Sequence, residues 1–255
     1  MQDVFPRLRR AGFDIAFTYH ADAILHRHFP DAGEELDRVI GAISIPVVEL
    51  VRGGGGEAQV TQRLRRALSE RGWRKETFYV EKKINDRTTF AQSHEVDHVK
   101  QYPNGSVALE LEWNNKDPFF DRDLENFNRL HADGGISIGI IVTRGVTFQN
   151  GIRELLQDFA RSRGMGSFGD LEQFGISPTG RQRQEVERYI HRTQCGFAEA
   201  WSTCFARDKF SSATTHWAKL KARLDRGVGA PCPTVGIGIP LSRIDGLGEA
   251  ARDRP

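Results

Sequence analysis

The chain has 255 residues, 38% of them hydrophobic and 27% charged, with a formal net charge of +2; this is the balance of an ordinary globular domain, not of a disordered or fibrous chain. No apolar run approaches the ~20 residues of a membrane helix, and the N-terminal stretch MQDVFPRLRRAGFDIAF holds no continuous apolar core of the secretory kind. Three cysteines (Cys195, Cys204, Cys232) make no disulfide framework, so membrane and secreted classes are excluded and a reducing cytoplasm is expected.

In chain order, residues 34–43 read as a short helix. The glycine run 53–56 could cradle a phosphate on free N–H groups, but no lysine with Ser/Thr follows it, so it reads as a connector. A helix comes next, with Val60, Leu64 and Leu68 at helical spacing and Gly72 as its stop. Residues 76–82 and 88–99 read as strands. The YPNGS segment carries the Asn-Gly signature of a hairpin turn into a strand over 106–113. Asp117-Pro118 offers an N-cap and a first-turn proline for a helix through FFDRDLENFNRLHA. The apolar run 135–142 is the pattern of a strand buried on both faces, and 149–161 is again helical. A glycine-rich loop (GMGSFGD), a helical stretch over 181–203, the polar segment SSATTHWAKLKARLDRG and a last apolar strand, TVGIGIPL, complete the chain. This order predicts an α/β fold with a mixed central sheet, in one domain spanning 1–255. Its parts are an N-terminal helical part (about 1–72), a sheet core (about 73–165), C-terminal helices and strand (about 166–242) and a tail (243–255).

The informative strand is VALELEW. Side chains alternate, so Val107, Leu109, Leu111 and Trp113 point one way, and Ala108, Glu110 and Glu112 the other. Two carboxylates on one face of a strand whose other face is core repel each other and are costly to bury, and a divalent cation resolves both problems. The alternative is a solvated sheet face. A hairpin turning at Asn104-Gly105 can bring Asp97 of HEVDHV beside Glu110, a suitable ligand set for metal-assisted phosphodiester hydrolysis. His94 and His98 lie an odd number of positions from Asp97, so on a regular strand they face the other way. From Gly134 onward there are 17 Lys/Arg against 12 Asp/Glu, and before it 19 against 22. A mildly basic second half beside an acidic first half suits a polyanion near an acidic metal site, as well as ordinary solvated faces. His191, Cys195, Cys204 and His216 match no compact zinc motif.

The run VALELEWNNKDPFFDRDLENF after HEVDHV resembles the type II restriction endonucleases of the BglII/BamHI branch, within the PD-(D/E)xK nuclease fold. The likeness runs from about residue 57 to 239. It includes the helix after GGGGEA, the SSATTHWAKL segment and the strand behind GAPCP, and it is most specific between 94 and 127. On that pattern Asp97 matches the metal-binding aspartate and Glu110 the (D/E). Glu112 falls where most of the superfamily has lysine, where BamHI-like enzymes carry glutamate and BglII-like ones glutamine; Val96 replaces the motif proline. Glu81 is the candidate for the extra acidic residue such enzymes place near the metal.

The resemblance implies a restriction-endonuclease-like core with helices flanking the sheet. It implies Mg²⁺-dependent hydrolysis (Mn²⁺ substituting) of both strands of a short palindromic double-stranded DNA site, leaving 5′-phosphates. Asp97 and Glu110 would hold the metal, with Glu112 a further ligand or the group that orients and deprotonates the water. A homodimer in a prokaryotic cytoplasm is expected, with a cognate DNA methyltransferase as a genetic rather than physical partner. The alternatives are a repair or recombination nuclease without sequence specificity, or a DNA-binding protein that has lost cleavage. For DNA contact the candidates are Asn114, Asn115, Lys116 and Arg122 at the strand's end. Thr214, Thr215, His216, Lys219 and Arg223 in and after the polar loop join them, with Lys209 and Arg226 beside, and Arg181 and Arg183 come second. For the asparagines capping is the alternative, and for the rest a solvated surface.

Overall fold

The computed structural model describes residues 3–52 and 57–246, so the glycine run 53–56 and the tail from 247 lie outside the described residues. The N-terminal part contains α1 (Pro6–Arg10), β1 (Asp14–Thr18), α2 (Ala21–His28), α3 (Pro30–Gly41), the two-residue β2 (Ile45–Pro46), α4 (Val47–Val51) and α5 (Gln59–Ser69). The centre is β3 (Arg74–Ile84), β4 (Arg87–Tyr102), β5 (Gly105–Glu112), α6 (Phe119–Ala132), β6 (Ile138–Arg144) and α7 (Val146–Ser162). Then follow α8 (Phe168–Glu172), α9 (Gly180–Thr193), α10 (Phe197–Lys209), α11 (Trp217–Asp225), β7 (Thr234–Ile239) and the short β8 (Ile244–Asp245). No helix among the described residues is long and apolar enough to cross a membrane.

The six-stranded sheet has the order β1-β7-β6-β5-β4-β3. β5, β6 and β7 run parallel, and β1, β4 and β3 pair antiparallel to their neighbours, so the sheet is mixed. Helices cover both faces. Val107, Leu109, Leu111, Ile140 and Ile237 belong to the larger apolar layer, packed with Leu36, Leu64, Phe148 and Trp201. Ala108, Ile141, Val96 and Val99 form the other layer with Phe120, Leu124 and Phe127 of α6 and Leu220 and Leu224 of α11. Each large side chain so buried contributes about 1.5–3 kcal/mol. All seven residues of β6 are buried, which is why its sequence reads as one apolar run.

Four local readings differ. The N-terminal part holds an edge strand, β1, whose five residues are all only half-buried and so show no alternation. The stretch 181–203 is two helices, separated where Gln194 adopts φ 55° before Gly196 caps α10. The N-cap of α6 is Pro118, and Asp117 instead pairs with Lys219 (2.9 Å) and Arg223 (3.1 Å). The first residues past 242 are ordered, since β8 pairs in parallel with β2.

β4 pairs with β5 only from Tyr102 back to His98, whereas β3 and β4 pair from Arg74 to Ile84. The outer part of this hairpin therefore projects past the sheet as a two-stranded ribbon, with Tyr79, Ile84 and Phe90 exposed.

Glycine at 139 lets α6 close on the sheet, because a Cβ there would overlap the ring of Phe127. Gly139→Ala is expected to lower stability by about 1–3 kcal/mol through overpacking. Urea unfolding monitored by tryptophan fluorescence measures it, and an unchanged midpoint would contradict the close approach.

Candidate active site

On β5, Leu109 and Leu111 enter the larger apolar layer, which turns Glu110 and Glu112 to the face beneath α6. They are 5% and 3% exposed. The apolar stripe of α6 is Phe120, Leu124 and Phe127, and Asp123 stands in that stripe at 1% exposure. The Asp123 carboxyl meets that of Glu112. Arg122 Nε donates to Asp123 Oδ1 at 2.8 Å, and Arg122 Nη2 lies 3.7 Å from Glu112 Oε1. Asn115 Nδ2 donates to Glu112 Oε2 at 2.9 Å. Among the described residues Asp123 Oδ2 has no hydrogen-bond donor.

Asp97 reaches this group across the hairpin. The register sets His98 opposite Leu109, and the Asp97 backbone N–H donates to the Glu110 carboxylate. On its other side β4 is bulged: Arg74 pairs with Val99 but Glu76 with Val96, so Lys75 alone faces Asp97 and His98. The extra residue breaks the alternation, which is how Val96 and Val99 both enter the apolar layer under α6. Asp97 is exposed, whereas His94 and His98 are buried, and His98 Nδ1 lies 3.3 Å from the Leu109 carbonyl oxygen.

The electrostatics follow from crowding. Burial first, and then the neighbouring Asp123, Asp97 and Glu112, hold the Glu110 carboxyl well above its ordinary range. Glu112 is pushed up to about 8 by burial and by Asp123, with Asn115 and Arg122 opposing. Asp123 is raised by burial, although Arg122 lowers it. Burial also depresses His98. Uncompensated carboxylates are thus held where their charged forms are disfavoured.

The remaining residues expected at the site are distributed differently. Glu81 is not brought to the cluster. It lies on the projecting ribbon opposite Ala91, exposed and 3.5 Å from Lys83, six residues along β4 from Asp97, or about 20 Å. Thr215, His216 and Arg223 are buried rather than presented to solvent, and Arg223 is bound to Asp121 (2.7 Å) as well as to Asp117. Lys219 is partly buried against Asp117. Asn115, Lys116 and Arg122 remain exposed or half-exposed at the edge of the cluster; Thr214 and Asn114 are half-buried. Asp123 was missed. Its signal was a charged residue at a core position, three beyond Phe120 in an otherwise apolar stripe.

A cleft of about 850 Å³ opens beside Asp97, bordered by His98, Lys75, Arg65, Gln62 and Asn115. His98 and Asp97 both border it, which a regular strand would not allow. A second, of about 880 Å³, carries Arg181, Arg207 and Gln182, and the two share Arg52, Asn114 and Lys209. The basic residues along these walls suit a polyanion.

Among the described residues no three of His, Cys, Asp and Glu are arranged to close around one ion. The donor set nonetheless fits a divalent cation of the hard kind, because buried carboxylate oxygens are what such a cation takes and Asp123 Oδ2 is left without a donor.

Compared with known proteins, residues 13–239 match the family model described as restriction endonuclease BglII/BglIII. A search of curated proteins finds no match.

The buried carboxyls keep protons in the folded state that the unfolded chain loses near the ordinary value of 4.5, with Glu112 retaining its proton to about 8. The folded state then binds more protons, so stability without metal falls as pH rises from about 5 through about 8. Glu110→Gln is therefore expected to raise the thermal midpoint in EDTA at pH 8 and to raise it less at pH 5. A lower midpoint at pH 8 would overturn the account.

Proposed function

Because the chain belongs to the BglII/BglIII restriction endonuclease family and is a site-specific deoxyribonuclease, we propose that cleavage takes place at Asp97, Glu110, Glu112 and Asp123. It is Mg²⁺-dependent (Mn²⁺ substituting), acts on both strands of a short palindromic double-stranded DNA site and leaves 5′-phosphates. The observation that carries the reading is three buried carboxyls with, among the described residues, one half-exposed guanidinium, Arg122, paired at their edge. Without a cation that group is a stability cost with no structural return.

Asp97, Glu110, Glu112 and Asp123 would hold the cation, which supplies Lewis-acid polarisation of the phosphate and a more acidic water. Glu112, oriented by Asn115 and Arg122, takes the proton of the attacking water. The water oxygen bonds to phosphorus, the bond from phosphorus to the 3′-oxygen breaks and that oxygen takes a proton from solvent water to become a 3′-hydroxyl, so the phosphate stays on the 5′ end. Lys116, Asn115 and Arg122 contact the DNA backbone at the cluster's edge. Among the described residues each chain has one such cluster, so cutting both strands of a palindrome takes a homodimer with twofold symmetry. A methyltransferase encoded nearby would protect host DNA.

Digestion of a plasmid of known sequence, with Mg²⁺ or with EDTA, tests the reading. Discrete bands are expected with Mg²⁺ alone, with ends that a ligase joins without added kinase. Glu110→Ala is expected to abolish the bands and Asp123→Asn to slow them at least about tenfold, as expected for loss of transition-state charge stabilisation. Bands that persist in EDTA or in Glu110→Ala would refute the metal-carboxylate reading.

A further inference from the structure

Arg144, the last residue of β6, is fully buried, and among the described residues no carboxylate pairs with it. Its donors go to neutral acceptors. Nη2 donates to the Thr215 carbonyl oxygen at 2.7 Å and to Thr214 Oγ1 at 2.6 Å, Nε to the same carbonyl at 3.2 Å, and Nη1 to Gln149 Oε1 at 2.9 Å. The rings of Phe210 and Phe148 lie 5.2 and 5.8 Å from the guanidinium carbon. Burial lowers its pKa to about 10, so it remains charged at neutral pH. An apolar side chain would fill this space at lower cost. What it would lack is the multiple attachment to one loop.

That loop leads to the carboxylates. Thr215 N donates to the Asn115 carbonyl oxygen at 2.9 Å, and Asn115 N donates back to Thr215 Oγ1 at 3.0 Å. Lys116 and Thr214 form an isolated β-bridge, and Asp117 N donates to the Ala213 carbonyl oxygen at 3.2 Å. The 211–216 loop and the 115–117 segment are thus laced together. Asn115 then donates its amide to Glu112, while Thr143, the residue before Arg144, donates its hydroxyl to the Glu112 carbonyl oxygen at 2.7 Å. Arg144 stands at one end of a continuous chain of hydrogen bonds and the Glu112 carboxyl at the other.

We propose that Arg144 is a positioning residue for cleavage: by fixing Thr214 and Thr215 it sets Asn115, and through Asn115 the orientation of the Glu112 carboxyl. The loop it anchors is at the edge of the cluster, beside Lys116, so DNA seated there is held in register with Glu112. The proposal rests on Glu112 acting in the cluster. A displacement of about 1 Å at a reacting group lowers rates by roughly 100-fold, which sets the size of the effect.

The test uses a duplex containing the site mapped by plasmid digestion. Arg144→Lys keeps a cation but cannot hold Thr214, Thr215 and Gln149 together. Its single-turnover cleavage with Mg²⁺ is expected to fall about 10–100-fold. Duplex affinity in EDTA should change little; the thermal midpoint is expected to fall, because Lys leaves buried acceptors unpaired, and rates are compared well below it. Combined with Asn115→Ala, the double variant should be no slower than the slower single one, because both interrupt one chain of contacts. Wild-type rates in Arg144→Lys, multiplicative losses in the double variant, or a rate loss matched by an equal loss of affinity would each overturn the proposal. Should Arg144→Lys not fold, Thr214→Val removes one anchor while leaving the cation in place; the same non-additivity is required of it. Glu112→Gln is run alongside. If it is slow while Arg144→Lys is fast, this proposal alone fails; if it cleaves at the wild-type rate, the reading of the cluster fails too.

Discussion

Three carboxyl groups share a space from which water is largely excluded, and much of the surrounding structure is accounted for by what holds them there. β5 can carry Glu110 and Glu112 inward because its opposite side chains, Val107, Leu109 and Leu111, are anchored in the larger apolar layer, and its backbone pairs with β6 from Val107 to Glu112 and with β4 as far as Leu109. A strand so held cannot slip by one residue, since the slip would drive both acids into the larger apolar layer and turn three core side chains out of it. α6 can lay Asp123 over them because the sheet is notched by glycine at 139, where a β-carbon would overlap Phe127. The same helix is tied to α11 by Asp117 and Asp121, which take Arg223 between them. That buried guanidinium ties the first turn of α6 to α11, two residues before Asp123.

How much of this was legible follows from which signals are local. The alternation in VALELEW put both glutamates on one face with no knowledge of the sheet, and the Asn-Gly turn placed Asp97 across from them. The bulge at Asp97 was not legible, because nothing in HEVDHV distinguishes a regular strand from one in which Lys75 faces two residues. Its consequence, that His98 and Asp97 border one cleft, was lost with it. Glu81 has strand parity compatible with Asp97, yet parity says nothing about distance along a ribbon. Arg223 and Thr215 read as polar surface because a basic residue in a polar segment has that prior, and only the tertiary partners Asp121 and Asn115 bring them inside. Asp123 was legible in principle, from the helical stripe, had a charge at a core position been given the weight of a glutamate pair.

Two residues join the accessible cleft to the buried acids. Asp97 lines the cleft and gives its backbone N–H to Glu110, and Asn115 lines the cleft and gives its side-chain amide to Glu112. Glu110, Glu112 and Asp123 themselves lie behind these two. The division assigns different work to groups of one chemical type. An exposed aspartate can meet an arriving cation while still hydrated, whereas the buried set offers unshared charge once water is left behind, where electrostatic attraction is stronger. On the proposed reading the proton held by the Glu112–Asp123 contact would leave as a cation enters, so that occupancy of the cluster and loss of that proton would be one linked event. On that reading the architecture spends folding stability on a site that would become favourable only when loaded, and the two cleft residues touch two of the three carboxyls that carry the cost.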